Sequence, residues 1–152
     1  MELEEHARVT GGALKRWLRA QTYDALAAGA MWLVGLSLLH VPWAPLWAGL
    51  GFVLHYVPHL GPVLALIGPA VAAGLSGGWE QVVRVLILYA IIVIVEGLVL
   101  QPLFMKHTAR VPVWASLLAP IVLGLLFSFW GVLLAAPLLA VVWAYRARWR
   151  AG

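Results

Sequence analysis

Apolar stretches with charge confined to their ends dominate the chain. No Asp, Glu, Lys or Arg occurs from Ala25 to Trp79, or from Val111 to Tyr145. A bilayer core about 30 Å thick is crossed by about 20 helical residues, so the first stretch is long enough for two or three passages. Residues 1–20 read differently, as Glu2, Glu4, Glu5, Arg8, Lys15, Arg16 and Arg19 with no apolar centre. An acidic start without an apolar run is not a secretory signal. Glu4 and Arg8 are one helical turn apart, and Leu14, Trp17 and Leu18 share a face. The pattern predicts a short surface helix, interrupted at Gly11-Gly12; a solvated tail as far as Gly12 is the alternative.

The first span is expected from Tyr23 to Leu39. Val41-Pro42 ends it, because proline disfavours the α region for the residue before it. A long apolar stretch from Trp43 to Leu75 is broken at Pro58-His59-Leu60-Gly61-Pro62. Each arm is about 20–24 Å long at 1.5 Å per residue, which is marginal for a crossing. The pair is therefore either two short spans or a re-entrant hairpin. Ser76-Gly77-Gly78 predicts a loop and Trp79–Phe104 a helix. After the basic stretch from Met105 to Arg110, a second apolar stretch runs from Val111 to Tyr145, interrupted near Ser128–Gly131. The fold class is all-α: a polytopic membrane protein with about six hydrophobic helical segments, two of them pairs broken by Pro and Gly. Residues 1–20 form a cytoplasmic N-terminal segment, 21–147 a single transmembrane domain and 148–152 a cytoplasmic tail.

The two broken stretches resemble each other. Val41-Pro42, Gly61 and Leu64-Ala65 recur 70 positions later as Val111-Pro112, Gly131 and Leu134-Ala135. A true internal repeat and chance identity between apolar segments both remain open. Either hairpin geometry gives each half an odd number of crossings, so the halves would be inverted and both termini would share a side. Arg8, Lys15, Arg16, Arg19, Lys106, Arg110, Arg146, Arg148 and Arg150 then fall on one face. That is nine of the 10 basic residues, which makes the face cytoplasmic by the positive-inside rule. Arg84 is the exception, with Glu80 one turn before it as an ion-pair partner.

Composition agrees with this class. The chain is 64% hydrophobic and 11% charged, against about 45–50% and about 25% in soluble domains. A soluble enzyme or a nucleic-acid binder is excluded on that ground. The net charge of +4 sits at segment ends, where it serves orientation. Zero cysteines rule out disulfides, thiolate metal sites and Cys nucleophiles.

Glu96 is the sharpest candidate, the one charged residue expected deep within a span. A carboxylate in hydrocarbon costs about 2.5–3.5 kcal/mol even on lenient scales, so it should face protein or water. It could bind a proton or cation, or serve as a protonated hydrogen-bonding group between helices. The break at Pro58, His59, Gly61 and Pro62 frees backbone carbonyls, as transporters do at ion and substrate sites. An ordinary interfacial turn is the plain alternative. His55 and His59 are one turn apart but lack a third ligand, so they read as interfacial histidines and no metal is assigned. Gln101-Pro102 should kink or end the Glu96 helix, and Gly124, Gly131, Ala135 and Ala136 before Pro137 suit close helix packing. With no phosphate-binding loop, nucleotide turn or catalytic triad, neither an enzyme nor a cofactor is expected.

Taken in order, four motifs resemble the AI-2E transporter family, the autoinducer-2 exporter or PerM-type membrane proteins of bacteria. They are Arg16-Trp17-Leu18…Gln21, Pro58-His59-Leu60-Gly61-Pro62, Tyr89…Glu96…Gln101-Pro102, and Gly131…Ala136-Pro137. The resemblance covers about Leu14 to Arg146, and it is to the C-terminal half of members that are usually about twice as long with further N-terminal spans. It implies a multi-span inner-membrane transporter of a small solute or ion, by autoinducer-like signal export or Na⁺/H⁺ exchange. It also implies a homo-oligomer. In the leading reading the chain acts as a homo-oligomer or with a partner membrane subunit, Glu96 is the coupling carboxylate and the two breaks line the path. A non-transporting scaffold or assembly subunit is the alternative, in which the same residues only pack. The chain departs from the family at Val93, Ile94 and Leu98, where polar residues are common. Leu103 replaces a frequent basic residue, and Ser128 stands where Gly is usual.

Overall fold

The computed structural model describes residues 2–57, 60–104 and 111–149, and every element among them is helical. The chain divides into two compact units, one of Met1–Ala20 with Met105–Gly152 and one of Gln21–Phe104. Two helical stretches, Leu60–Phe104 and Trp114–Trp149, are long and apolar enough to cross a membrane. Large side chains such as Leu75, Leu98, Leu125 and Phe127 lie exposed on them, a surface suited to lipid rather than water.

Helix α1 spans Glu2–Leu38 without interruption. The expected break at Gly11-Gly12 is therefore corrected. Two helical glycines cost about 1 kcal/mol each relative to Ala, and side-chain contacts hold the turns just before them. In the first unit, the Tyr145 hydroxyl lies 3.0 Å from Thr10 Oγ1 and donates to the His6 carbonyl at 3.0 Å, while Glu5 pairs with Arg148. The helix ends as a Schellman turn: Val41 N–H bonds to Leu36 O and His40 N–H to Ser37 O. His40 takes the left-handed position (φ 55°), and Pro42 follows, unable to continue the helix.

Helix α2 (Ala44–Leu54) has 11 residues, too few to cross a bilayer. It folds back on the first arm of α3 (Leu60–Val95) through small residues. A Cβ on Gly51 would meet Ala65, one on Gly68 would meet the Trp47 ring, and one on Gly61 would overlap the Leu54 carbonyl. Absent side chains thus set the approach of the two backbones. The break between the helices falls where the sequence places it, although Pro58 and His59 themselves lie outside the described residues.

The loop expected at Ser76-Gly77-Gly78 is a reversal at Gly78 alone (φ 67°, ψ −160°), which only glycine adopts without strain. The second arm of α3 then runs back beside α1. Trp32 stacks on Tyr89 at 6.4 Å, a Cβ on Gly35 would strike Leu88, and Gln81 donates to the Leu39 carbonyl at 2.8 Å. Trp32, Leu36, Val41, Ala44, Ala48, Ala65, Val85 and Ile92 form the core of this unit. Arg84 and Glu80 pair at 3.7 Å at its exposed edge, a contact that contributes little to stability.

A short π-helical segment, Glu96–Leu100, separates α3 from α4 (Gln101–Phe104). Pro102 has no N–H, and its ring crowds the carbonyl one turn back. The backbone widens instead of breaking, and Gln101 N–H bonds to Glu96 O.

In the first unit, α5 (Val113–Trp149) is a hairpin that reverses at Ser128 (φ 54°, ψ −139°). A Cβ on Gly131 would overlap the Leu123 carbonyl, and Trp114 packs edge-on against Trp143 at 6.3 Å. The two arms are therefore antiparallel neighbours.

Candidate functional site

Glu96 is 5% exposed at the start of the π segment, and it faces protein. Its Oε1 lies 2.8 Å from Nε2 of His55, which is itself 2% exposed. His55 caps α2, and its Nδ1 lies 2.6 Å from the Gly51 carbonyl. A carbonyl can only accept, so Nδ1 carries its proton and the tautomer is fixed. Nε2 then either accepts from a Glu96 carboxylic acid or, as imidazolium, donates to a carboxylate. In both cases one proton sits between Nε2 and Oε1 and the pair is neutral. Removing that proton would set a lone pair against a carboxylate oxygen.

Neighbouring polar groups hold the pair in place. Gln21 Nε2 donates to the His55 carbonyl at 2.6 Å, and the Thr22 and Tyr56 hydroxyls are 2.9 Å apart. These two bonds fix α1 against the end of α2. Asp24, one turn beyond Gln21, is also 5% exposed. Its Oδ1 and the Trp32 Nε1 are enclosed without a hydrogen-bond partner among the described residues.

The fold adds two features to the sequence reading. His55 is enclosed against Glu96, and Asp24 is a second carboxylate enclosed by protein. A signal for Asp24 was present: Gln21, Asp24, Ala28, Trp32 and Leu36 recur every three or four residues along the buried stripe of α1. Asp24 lies just inside the expected start of the first span, so it reads as a boundary charge when segments are drawn by charge alone. The remaining candidates are dispersed. Gly61 is buried in the α2–α3 turn and Pro62 is half-buried beside it. Gln101 and Pro102 are exposed and act on Glu96 through the backbone, by way of the π segment. Gly131 and Pro137 lie on α5, in the other unit.

A buried carboxylate on a π segment, paired with an imidazole at the end of α2, stands among apolar helices, where an ionisable group is a functional-site candidate. The model of the AI-2E family transporters matches residues 2–151. The chain belongs to the AI-2E transporter family. Among its relatives is YhhT of Escherichia coli (strain K12), which carries a provisional name as a transport protein. The two are 30% identical over 128 residues, 84% of this chain and 37% of YhhT. The AI-2 transport protein TqsA of the same organism is 30% identical over 130 residues, 86% of this chain and 38% of TqsA. A Thermotoga maritima protein provisionally named for transport is 31% identical over 144 residues, 90% of this chain and 42% of that protein. The chain thus spans well under half the length of these relatives. Family membership places it in a lipid bilayer. Of the family-like motif residues, Gln21 anchors the His55 carbonyl, Tyr89 stacks on Trp32 and Glu96 pairs with His55.

Proposed function

We propose that this chain contributes to membrane transport of a small solute or ion, with the His55–Glu96 pair holding the coupling proton. The observation that carries this reading is the buried 2.8 Å contact between Nε2 and Oε1. Its one shared proton can be lost only at the expense of the bond, so protonation and local helix packing are linked. A group with that property can convert a proton gradient into a change of helix arrangement. Export of an autoinducer-like signal and Na⁺/H⁺ exchange both fit such a device. The break around Gly61 and Pro62, beside His55 in sequence, would border the path.

The placement in the cell is part of the same proposal. The chain sits in the bacterial inner membrane with both termini cytoplasmic, residues 21–147 forming the membrane domain between residues 1–20 and the tail at 148–152. It acts as a homo-oligomer or with a partner membrane subunit. An inverted repeat over about six segments is supported by local geometry: Gly61 abuts the Leu54 carbonyl as Gly131 abuts the Leu123 carbonyl.

Flux in proteoliposomes under imposed pH and sodium gradients tests the reading. Glu96→Gln keeps a hydrogen bond to Nε2 but cannot exchange the proton, so gradient-driven flux should fall at least tenfold. Equal flux for wild type and Glu96→Gln would leave the pair as packing only, the role it has in a non-transporting scaffold.

A further inference from the structure

Asp24 takes no part in the His55–Glu96 bond, yet it is enclosed beside it. Gln21, one turn before it on the same face of α1, donates to the His55 carbonyl at 2.6 Å. Further along, a Cβ on Gly29 would lie 3.1 Å from Phe52 Cβ, so α1 stays against α2 on both sides of Asp24. Asp24 is therefore level with His55, on the C-cap of α2, and Glu96, on the π segment. Those are the ionisable groups beside it among the described residues. Its Oδ1 is fully enclosed and has no partner there.

Counting charge gives this arrangement its meaning. His55 Nδ1 keeps its proton because it faces the Gly51 carbonyl. A second proton lies between Nε2 and Oε1, whichever atom carries it, and makes His55 and Glu96 jointly neutral. Nothing in that pair is left to balance Asp24. Ionised, Asp24 would be an uncompensated charge enclosed by protein, whose own neighbours include a second carboxyl. We propose that Asp24 is a second proton-binding group of the cluster, resting as the carboxylic acid and releasing its proton to water independently of the His55–Glu96 pair. The cluster then cycles between a neutral form and a form with a single negative charge, located on Asp24. The proposal builds on the reading of His55–Glu96 as a proton-holding pair.

The sequence contains a single aspartate, so the test needs no substitution. Full-length protein labelled with [4-¹³C]aspartate, in lipid nanodiscs, gives one labelled carboxyl signal by infrared spectroscopy. At pH 5, where an ordinary aspartate is ionised, the labelled band should be that of a protonated carboxyl, should shift in D₂O, and should convert to a carboxylate band as pH is raised. Glu96→Gln should retain the labelled protonated band, and Asp24→Asn should remove one exchangeable carboxyl without loss of helicity. A labelled carboxylate band at pH 5, in wild type, would overturn the proposal. So would a protonated band that never exchanges in D₂O. The flux experiment fails separately: equal flux for wild type and Glu96→Gln leaves the Asp24 band unchanged, whereas an ionised Asp24 leaves the flux result unchanged.

Discussion

Nε2 of His55 and Oε1 of Glu96 meet at 2.8 Å, joining residues 41 positions apart in a site that solvent hardly reaches. Breaking a buried pair by removing one member strands the other, at a cost of about 3–5 kcal/mol, whereas replacing both with apolar groups is often near neutral. Glu96→Ala and His55→Ala should each lower stability by about that amount. His55→Phe with Glu96→Leu should lie closer to wild type than either single change. Unfolding in mixed detergent micelles, followed by helicity, provides the double-mutant comparison. Additive losses would mean that the two side chains do not interact.

Much of this arrangement was legible in the sequence, and the part that was not has a physical cause. Hydrophobic run length and the Pro and Gly positions put the end of the first span at Leu39, one residue from the observed Leu38, and put later breaks at Pro58–Pro62, Ser76–Gly78 and near Ser128–Gly131, because backbone chemistry is local. Glu96 stood out because a carboxylate among apolar residues needs a partner. The identity of that partner did not, since the Glu96–His55 contact depends on how α2 and the π segment pack. Asp24 was obscured by its position at the edge of a charged segment. Gly11 and Gly12 misled in the opposite direction: at about 1 kcal/mol each their cost is too small to break a helix on its own.

Ser128 shows what a departure from the usual glycine costs. With φ 54° and ψ −139° it holds a conformation that an L side chain adopts only under strain, of order 1–3 kcal/mol. Ser128→Gly should therefore raise stability by about 1 kcal/mol, the strain relief exceeding the entropy glycine adds to the unfolded chain. Ser128→Val should lower it. Thermal unfolding of the three proteins in one detergent decides the matter, and a destabilised Ser128→Gly would show the turn is unstrained.

Pro102 reaches Glu96 through the backbone alone. Restoring an N–H at this position in Pro102→Ala removes the reason for the wide turn, and Glu96–Leu100 can relax to ordinary α-helical bonding. A π segment contains one extra residue per turn, so its loss turns Gln101–Phe104 relative to α3 and disturbs the packing at Glu96, where the wide turn begins. Pro102→Ala should therefore lose the His55–Glu96 contact while keeping both side chains. The His55 ¹⁵N shifts in labelled protein report this directly. They should move toward those of Glu96→Gln; wild-type shifts would show that Pro102 does not set the π turn.

Gly61 and Gly131 carry the closest backbone approaches of the two hairpins. A methyl group on Gly61 would overlap the Leu54 carbonyl, and one on Gly131 would overlap the Leu123 carbonyl. Neither obstacle is a side chain that could change rotamer, so the arms have to separate. Gly61→Ala and Gly131→Ala should each destabilise by about 2 kcal/mol or more, at the upper end of overpacking costs. Gly49 is the internal control, a glycine within α2 whose added Cβ would meet nothing within 4 Å. There alanine gains helix propensity and should stabilise by up to about 1 kcal/mol. Opposite signs at Gly61 and Gly49 would separate backbone contact from helix propensity, since the two positions flank the same turn. Destabilisation of equal size at both would instead mean that any added side chain disturbs this hairpin. Because Gly61 sits directly after the turn that carries His55, its substitution should also weaken the His55–Glu96 contact, whereas Gly131→Ala tests the hairpin of the other unit independently.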